Sequence, residues 1–320
     1  LGAAGKIDVE FIPDLVFAEP GGKPLLLDLY LPRPVARPAP LIVWLHGGGW
    51  RFGDRRVAPD LRRYFAERGY AMASVDYRYA GEAIFPAQIH DVKNAVRWLR
   101  HNAQRYAIDG TRIGLWGSSA GGHLAALAGV TGTGTLEPGD TPWPDTPTGV
   151  QAVVDGYGPI DFSQLDAHRI DVRGEPDDPE GVHPQGDMTS ARPDSFESEF
   201  VGGPIADRAA LVAAANPVTY VAPGAPPFLI MHGLSDLLIP AHQSILLYEA
   251  LAAAGDDVTL CLIKGWGHGF FLKDRLQKGP AGPVEIRHAR NGRRERVSGA
   301  PAITFDFIES FFRRHLGAPV

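Results

Sequence analysis

The stretch 114-GLWGSSAGGHLA-125 sets two adjacent serines among small residues. Ser119 stands at the centre of a G-x-S-x-G frame, Gly117 to Gly121, whereas the matching flanks of Ser118 are Trp116 and Ala120. A sharp turn from strand to helix forces the central residue of such a frame into a strained conformation, and the flanking glycines relieve the crowding. Its hydroxyl then projects at a helix N-terminus, where aligned N–H groups favour developing negative charge. A serine hydroxyl is a poor nucleophile without a base, and the base needs an acid to orient it. His268, in 264-KGWGHGF-270, is the candidate base, and Asp236, in 231-MHGLSDLLIP-240, the candidate acid. Each follows an apolar run that reads as a strand, and the order Ser, Asp, His is one of the arrangements this chemistry uses. His232, at a strand end near Asp236, competes for the role of base but reads as a supporting or packing group, and His123, inside the helix four residues after Ser119, reads as structural. Asp256 and Asp257 precede a strand and so fall at the opposite edge.

A third part is a set of donors for the oxyanion of a tetrahedral intermediate. The run 45-LHGGGWRFGD-54 follows a strand and offers Gly48 and Gly49, which join the N–H of Ala120 beside the nucleophile. One such donor contributes about 3 kcal/mol to the transition state. His46 is expected to hold this loop by hydrogen bonding. The run lacks the Lys-Ser/Thr ending of a phosphate loop and the spacing of a dinucleotide fingerprint. Trp50, Tyr157, Phe162 and Trp266 flank these motifs and are candidates to line a substrate pocket. The chemistry predicted is acyl transfer through a covalent acyl-serine.

These residues need a frame that brings strand ends together. Apolar runs at 7–17, 25–31, 41–46, 70–78, 112–117, 150–158, 227–233 and 258–265 read as strands, most of them buried on both faces. Helix-period segments lie between them, at about 58–68, 86–106, 120–129, 241–254 and 303–316. In the second, Ile89, Val92, Val96 and Leu99 share one stripe. Alternation of this kind implies an α/β fold, a parallel sheet covered by helices on both sides, in one domain spanning 1–320. The loop 131–148 joins a helix to a strand and should be remote from the chemistry. Two segments leave strands on the ligand-binding edge: 158–215, acidic and long, is expected to be a cap or lid, and 273–298, basic, a second insertion near the active-site edge.

The chain has 320 residues and a formal net charge of −6, which argues against non-specific nucleic-acid binding. Its single cysteine, Cys261, excludes an internal disulfide and C-x-x-C metal or redox motifs. No apolar run approaches the length of a membrane helix. Leu1 in place of an initiator Met points to a trimmed upstream segment and leaves room for a signal peptide. A cytoplasmic or a secreted location, and a homo-oligomer, are all compatible with this composition.

Together the motifs HGGGW (46–50), DYRY (76–79), GSSAGG (117–122), ANPVTYV (215–221), HGLSDLLIP around Asp236, and GHGF (267–270) resemble the α/β-hydrolase superfamily. The resemblance is to bacterial carboxylesterases of the hormone-sensitive-lipase-like and feruloyl-esterase-like groups. It spans roughly residues 25–272 and the closing helix. It implies an eight-stranded, mostly parallel sheet with its second strand reversed, and no metal or organic cofactor. It carries nucleophile, acid and base onto Ser119, Asp236 and His268. The implied activity is hydrolysis of small-molecule esters with short-to-medium acyl or aryl groups. An arylformamidase, a peptidase or a carbohydrate acetyl or feruloyl esterase would use the same residues. A non-catalytic binding protein on this fold is a more distant alternative. The two long segments depart from the family and leave the substrate range open.

Overall fold

An unbroken run such as 39-APLIVWL-45 has no polar face, so it is stable only where both faces are covered. In the computed structural model, which describes residues 7–170, 188–272, 275–280, 282–297 and 302–320, every residue of that run is buried in the middle of a sheet. The strands are β1 (Asp8–Ala18), β2 (Leu25–Arg33), β3 (Ala39–Leu45), β4 (Ala71–Val75), β5 (Ile108–Ser118), β6 (Ala152–Gly156), β7 (Phe228–Gly233), β8 (Val258–Ile263), β9 (Val284–Arg290) and β10 (Arg293–Val297). Their order is β1-β2-β4-β3-β5-β6-β7-β8-β9-β10. The run from β4 to β8 is parallel, β2 is antiparallel to both its neighbours, and β9 and β10 are antiparallel additions at the far edge.

The helices are α1 (Leu61–Tyr64), α2 (Ala87–His101), α3 (Ala103–Tyr106), α4 (Ala120–Thr131), α5 (Phe196–Val201), α6 (Ala209–Ala215), α7 (His242–Ala254), α8 (Arg275–Lys278) and α9 (Phe305–Leu316). Alternation along β3 feeds two cores. Leu41, Val43 and Leu45 join Ile89 and Val92 of α2 and Leu124 of α4, while Ile42 and Trp44 join Ile308 and Phe312 of α9 on the other face. Each such side chain contributes roughly 1.5–3 kcal/mol by leaving water. The segment predicted as one helix over 58–68 is two short pieces, α1 and a 3-10 turn at Ala66–Arg68, closed by Gly69 at φ 96°.

Among the described residues the sheet has ten strands, not the eight implied by the family pattern. The extra pair comes from the 273–298 segment. Ile286 pairs with Cys261 and Val284 with Ile263, which satisfies the edge of β8, and Ile286 and Ala289 are buried. The hairpin turns at Asn291-Gly292, both at positive φ (51° and 74°), the conformation of the tight turns that match strand twist. Residues 273, 274, 281 and 298 of this segment lie outside the described residues. So do 171–187 of the 158–215 segment, and the expectation of a cap or lid falls partly on them. The described remainder of that segment contains α5, α6 and short 3-10 turns.

Candidate active site

Ser119 occupies the one-residue joint between β5 and α4, at φ 55° and ψ −123°. An L-residue holds such a conformation only where its surroundings over-determine it. Here its N–H donates to the Gly156 carbonyl at 2.8 Å, and its own carbonyl accepts from His123 at 3.0 Å. The glycines permit a very close approach. A Cβ on Gly121 would lie 2.1 Å from the Leu45 carbonyl oxygen, and one on Gly117 would lie 2.1 Å from that of Gly121.

His268, on the loop after β8, places Nε2 2.9 Å from Ser119 Oγ and Nδ1 2.7 Å from Asp236 Oδ2. A carboxylate can only accept, so Nδ1 carries the proton and Nε2 is left to accept from the serine hydroxyl. This is the tautomer a general base requires. Asp236, on the loop after β7, is fully buried and takes the Leu238 and Ile239 N–H groups on Oδ1, each at 2.9 Å. Burial alone would raise its pKa, but its electrostatic attraction to His268 and the hydrogen bonds of the His232 and His268 rings outweigh it. The carboxyl is held well below the usual range.

His232 donates from Nε2 to the Ile239 carbonyl at 2.9 Å, lies 3.3 Å from Asp236 Oδ2 and contacts Ser244 Oγ through Nδ1. It therefore braces the Asp236 loop. His123 donates from Nε2 to the Ala215 carbonyl within the core. His46 donates from Nδ1 to the Gly47 carbonyl at 2.7 Å and stacks on Tyr77, whose hydroxyl donates to the His46 carbonyl. Burial keeps its ring neutral by lowering its pKa.

Gly48 turns at φ 118°, and its carbonyl accepts from the N–H groups of Arg51 and Phe52. A Cβ there would meet the Phe52 carbonyl oxygen at 2.0 Å. Among the described residues, the N–H groups of Gly48 and Gly49 have no protein acceptor, and neither does that of Ala120 in the first turn of α4. Gly48, Gly49, Ala120, Ser119 and His268 all line one cavity of about 630 Å³.

Trp50 and Tyr157 also line this cavity, but Phe162 and Trp266 do not. Phe162 is packed behind it against Trp50 and His123, with ring centres 5.5 Å apart in each case. Trp266 packs on Phe270, and its carbonyl accepts from Ser235, next to Asp236. Both were attractive as pocket residues because they neighbour motifs, yet each side chain faces the core. Sequence reasoning missed Arg51, Phe52 and Val57, which adjoin the glycine run, and Arg169, Arg192, Ser195, Phe196 and Glu197 from the 158–215 segment. Nothing in that segment's composition singles these out. None of 131–148 reaches the cavity; Glu137 there is paired with Lys93 and Arg97 of α2. Among the described residues no group of three His, Cys, Asp or Glu side chains converges as a metal site would require.

Comparison with known proteins adds to this geometry. Residues 27–251 match the BD-FAE family. Esterase LipC of Mycobacterium tuberculosis is 33% identical over 258 residues, 80% of this chain and 59% of its own length. The chain thus spans little more than half the length of these curated relatives, with 52% for Esterase LipQ. Among solved structures, a bifunctional GH43-CE protein of Bacteroides eggerthii is similar at TM-score 0.68 and 32% identity, over 84% of this chain and 37% of that one. A thermophilic esterase of Thermogutta terrifontis with propionate bound aligns at TM-score 0.61 and 25% identity, over 83% and 86% of the two chains.

Proposed function

Since this chain belongs to the BD-FAE family of α/β-hydrolases, we propose that it is a serine carboxylesterase acting on short-to-medium acyl or aryl esters. The observation that carries this reading is the hydrogen-bonded line from Asp236 through His268 to Ser119, beside three N–H groups that have no acceptor among the described residues. His268 Nε2 takes the Ser119 proton as Oγ attacks the ester carbonyl. The alkoxide forms against the Gly48, Gly49 and Ala120 N–H groups, and Asp236 stabilises the imidazolium. The imidazolium proton passes to the departing alkoxide, leaving an acyl-serine. Water, deprotonated by the same histidine, then releases the acid. Ser119→Ala is expected to abolish both turnover of p-nitrophenyl butyrate and covalent labelling by an organophosphonate. Labelling that persisted in the variant would sink the assignment.

An ester carried on a carbohydrate is a second reading with a specific observation behind it. The cavity carries Arg169, Arg192, Asp194 and Glu197 beside the apolar Phe52, Val57 and Leu272, so polar groups are present to bond hydroxyls. The likeness to the GH43-CE protein points the same way. Turnover of acetylated or feruloylated sugars at ten or more times the kcat/KM of simple aryl esters would select it.

A further inference from the structure

Arg51 has no part in the chemistry above, yet it ties the glycine run to the segment across the cavity. Its Nη2 donates to the Asp194 carbonyl at 3.0 Å, and its Nε lies 2.6 Å from a Glu199 carboxylate oxygen. The guanidinium carbon sits 4.3 Å from the centre of the Phe196 ring. That ring presses on the glycine run itself, since a Cβ on Gly49 would come within 2.3 Å of it. One residue further on, Trp50 stacks on Phe200 with ring centres 4.2 Å apart. Residues 49–52 and 194–200 therefore form one continuous contact.

The backbone that this contact restrains is intrinsically soft. Gly48 and Gly49, at φ 118° and 58°, occupy conformations that glycine leaves easily. Oxyanion donors work only when they are held in place before charge develops, and a misplacement of about 1 Å can cost on the order of 100-fold in rate. The Arg51 and Glu199 side chains are 36% and 39% exposed, and an ion pair so exposed contributes little to stability. We propose that Arg51 is a positioning residue: by fastening Asp194, Phe196 and Glu199 against residues 49–52, it aims the Gly48 and Gly49 N–H groups at the developing oxyanion. The inference rests on the oxyanion role given to those glycines above.

The test compares Arg51→Ala, Arg51→Lys and Glu199→Gln in the full chain. It reads kcat and KM on p-nitrophenyl butyrate, inhibition by phenylboronic acid, thermal melting, and active sites counted by organophosphonate labelling. A boronate adds to Ser119 Oγ and places an oxygen where the oxyanion would form. For Arg51→Ala, kcat per labelled site is expected to fall about 10- to 100-fold. Boronate affinity should weaken in parallel, with KM within about two-fold of the parent and little change in melting. Glu199→Gln should lose less, because the Asp194 and Phe196 contacts remain, and Arg51→Lys should recover part of the loss. Unchanged kcat and boronate affinity in Arg51→Ala would overturn the proposal, as would a loss that vanishes when normalised to labelled sites. Failure of the catalytic reading would show separately, as labelling that survives Ser119→Ala.

Discussion

His123 and Asp155 are fully buried beside the nucleophile, and they draw stability in opposite directions as pH changes. Burial lowers His123 from 6.5 to about 4, only partly offset by its bond to the Ala215 carbonyl. Between those values the unfolded chain binds a proton that the fold refuses, so stability rises with pH. Burial raises Asp155 from 3.8 to about 6, against the opposing influence of His232 and the Gly158 N–H. Here the fold keeps a proton that the unfolded chain releases, so stability falls as pH rises over almost the same window. Each effect amounts to roughly 3 kcal/mol, and they nearly cancel. Asp155→Asn removes one side of the balance. Urea unfolding at pH 4.5 and 7 is expected to show the variant gaining roughly 2–3 kcal/mol relative to the parent on going to the higher pH. An unchanged difference would show that Asp155 is ionised throughout. At this scale the sequence names the residue types, but no spacing reveals that Asp155, inside β6, is sealed from water.

The element that most constrains the site is the joint between β5 and α4. Its geometry is legible, because glycines at 117 and 121 around a serine are the pattern that a strained turn demands. Gly121→Ala would drive a methyl into the Leu45 carbonyl, which is backbone and cannot rotate away. We expect a loss of at least about 2 kcal/mol in urea unfolding, with kcat falling as Ser119 shifts. A stable variant with full activity would mean that α4 can slide on β3 at no cost. The β9–β10 hairpin was less legible. Its hydrophobic signal is weak, since every residue of β10 is exposed, and its arginines read as a solvated loop. The one local signal that could have shown it is Asn291-Gly292, the dipeptide that suits a tight hairpin turn. Those arginines have a physical use on an edge strand, where charge discourages pairing with another chain.

Across the whole molecule, Cys261 lies in the middle of β8 with no exposed surface, and burial pushes its thiol pKa upward. It is the only cysteine in the chain, so a thiol reagent should label the native protein no faster than the fold opens globally. Labelling in rising urea is expected to follow the unfolding transition; rapid labelling in buffer would reveal local opening of β8. Among the described residues no helix is long and apolar enough to cross a membrane. The sequence by itself determined the alternation of strand and helix, the position of Ser119 at a strand-to-helix joint, and the presence of Asp236 and His268 on loops after strands. Those are local properties, written in apolar period and in glycine placement. Only the tertiary structure decided that side chains 117 and 149 positions from the nucleophile come to lie in line at 2.7 and 2.9 Å. It also decided that Phe162 and Trp266 turn into the core while Arg51 and Phe196 face the cavity. Such choices depend on which surfaces remain once the parallel sheet has packed, and packing is a property of the assembled chain, not of any one stretch of it.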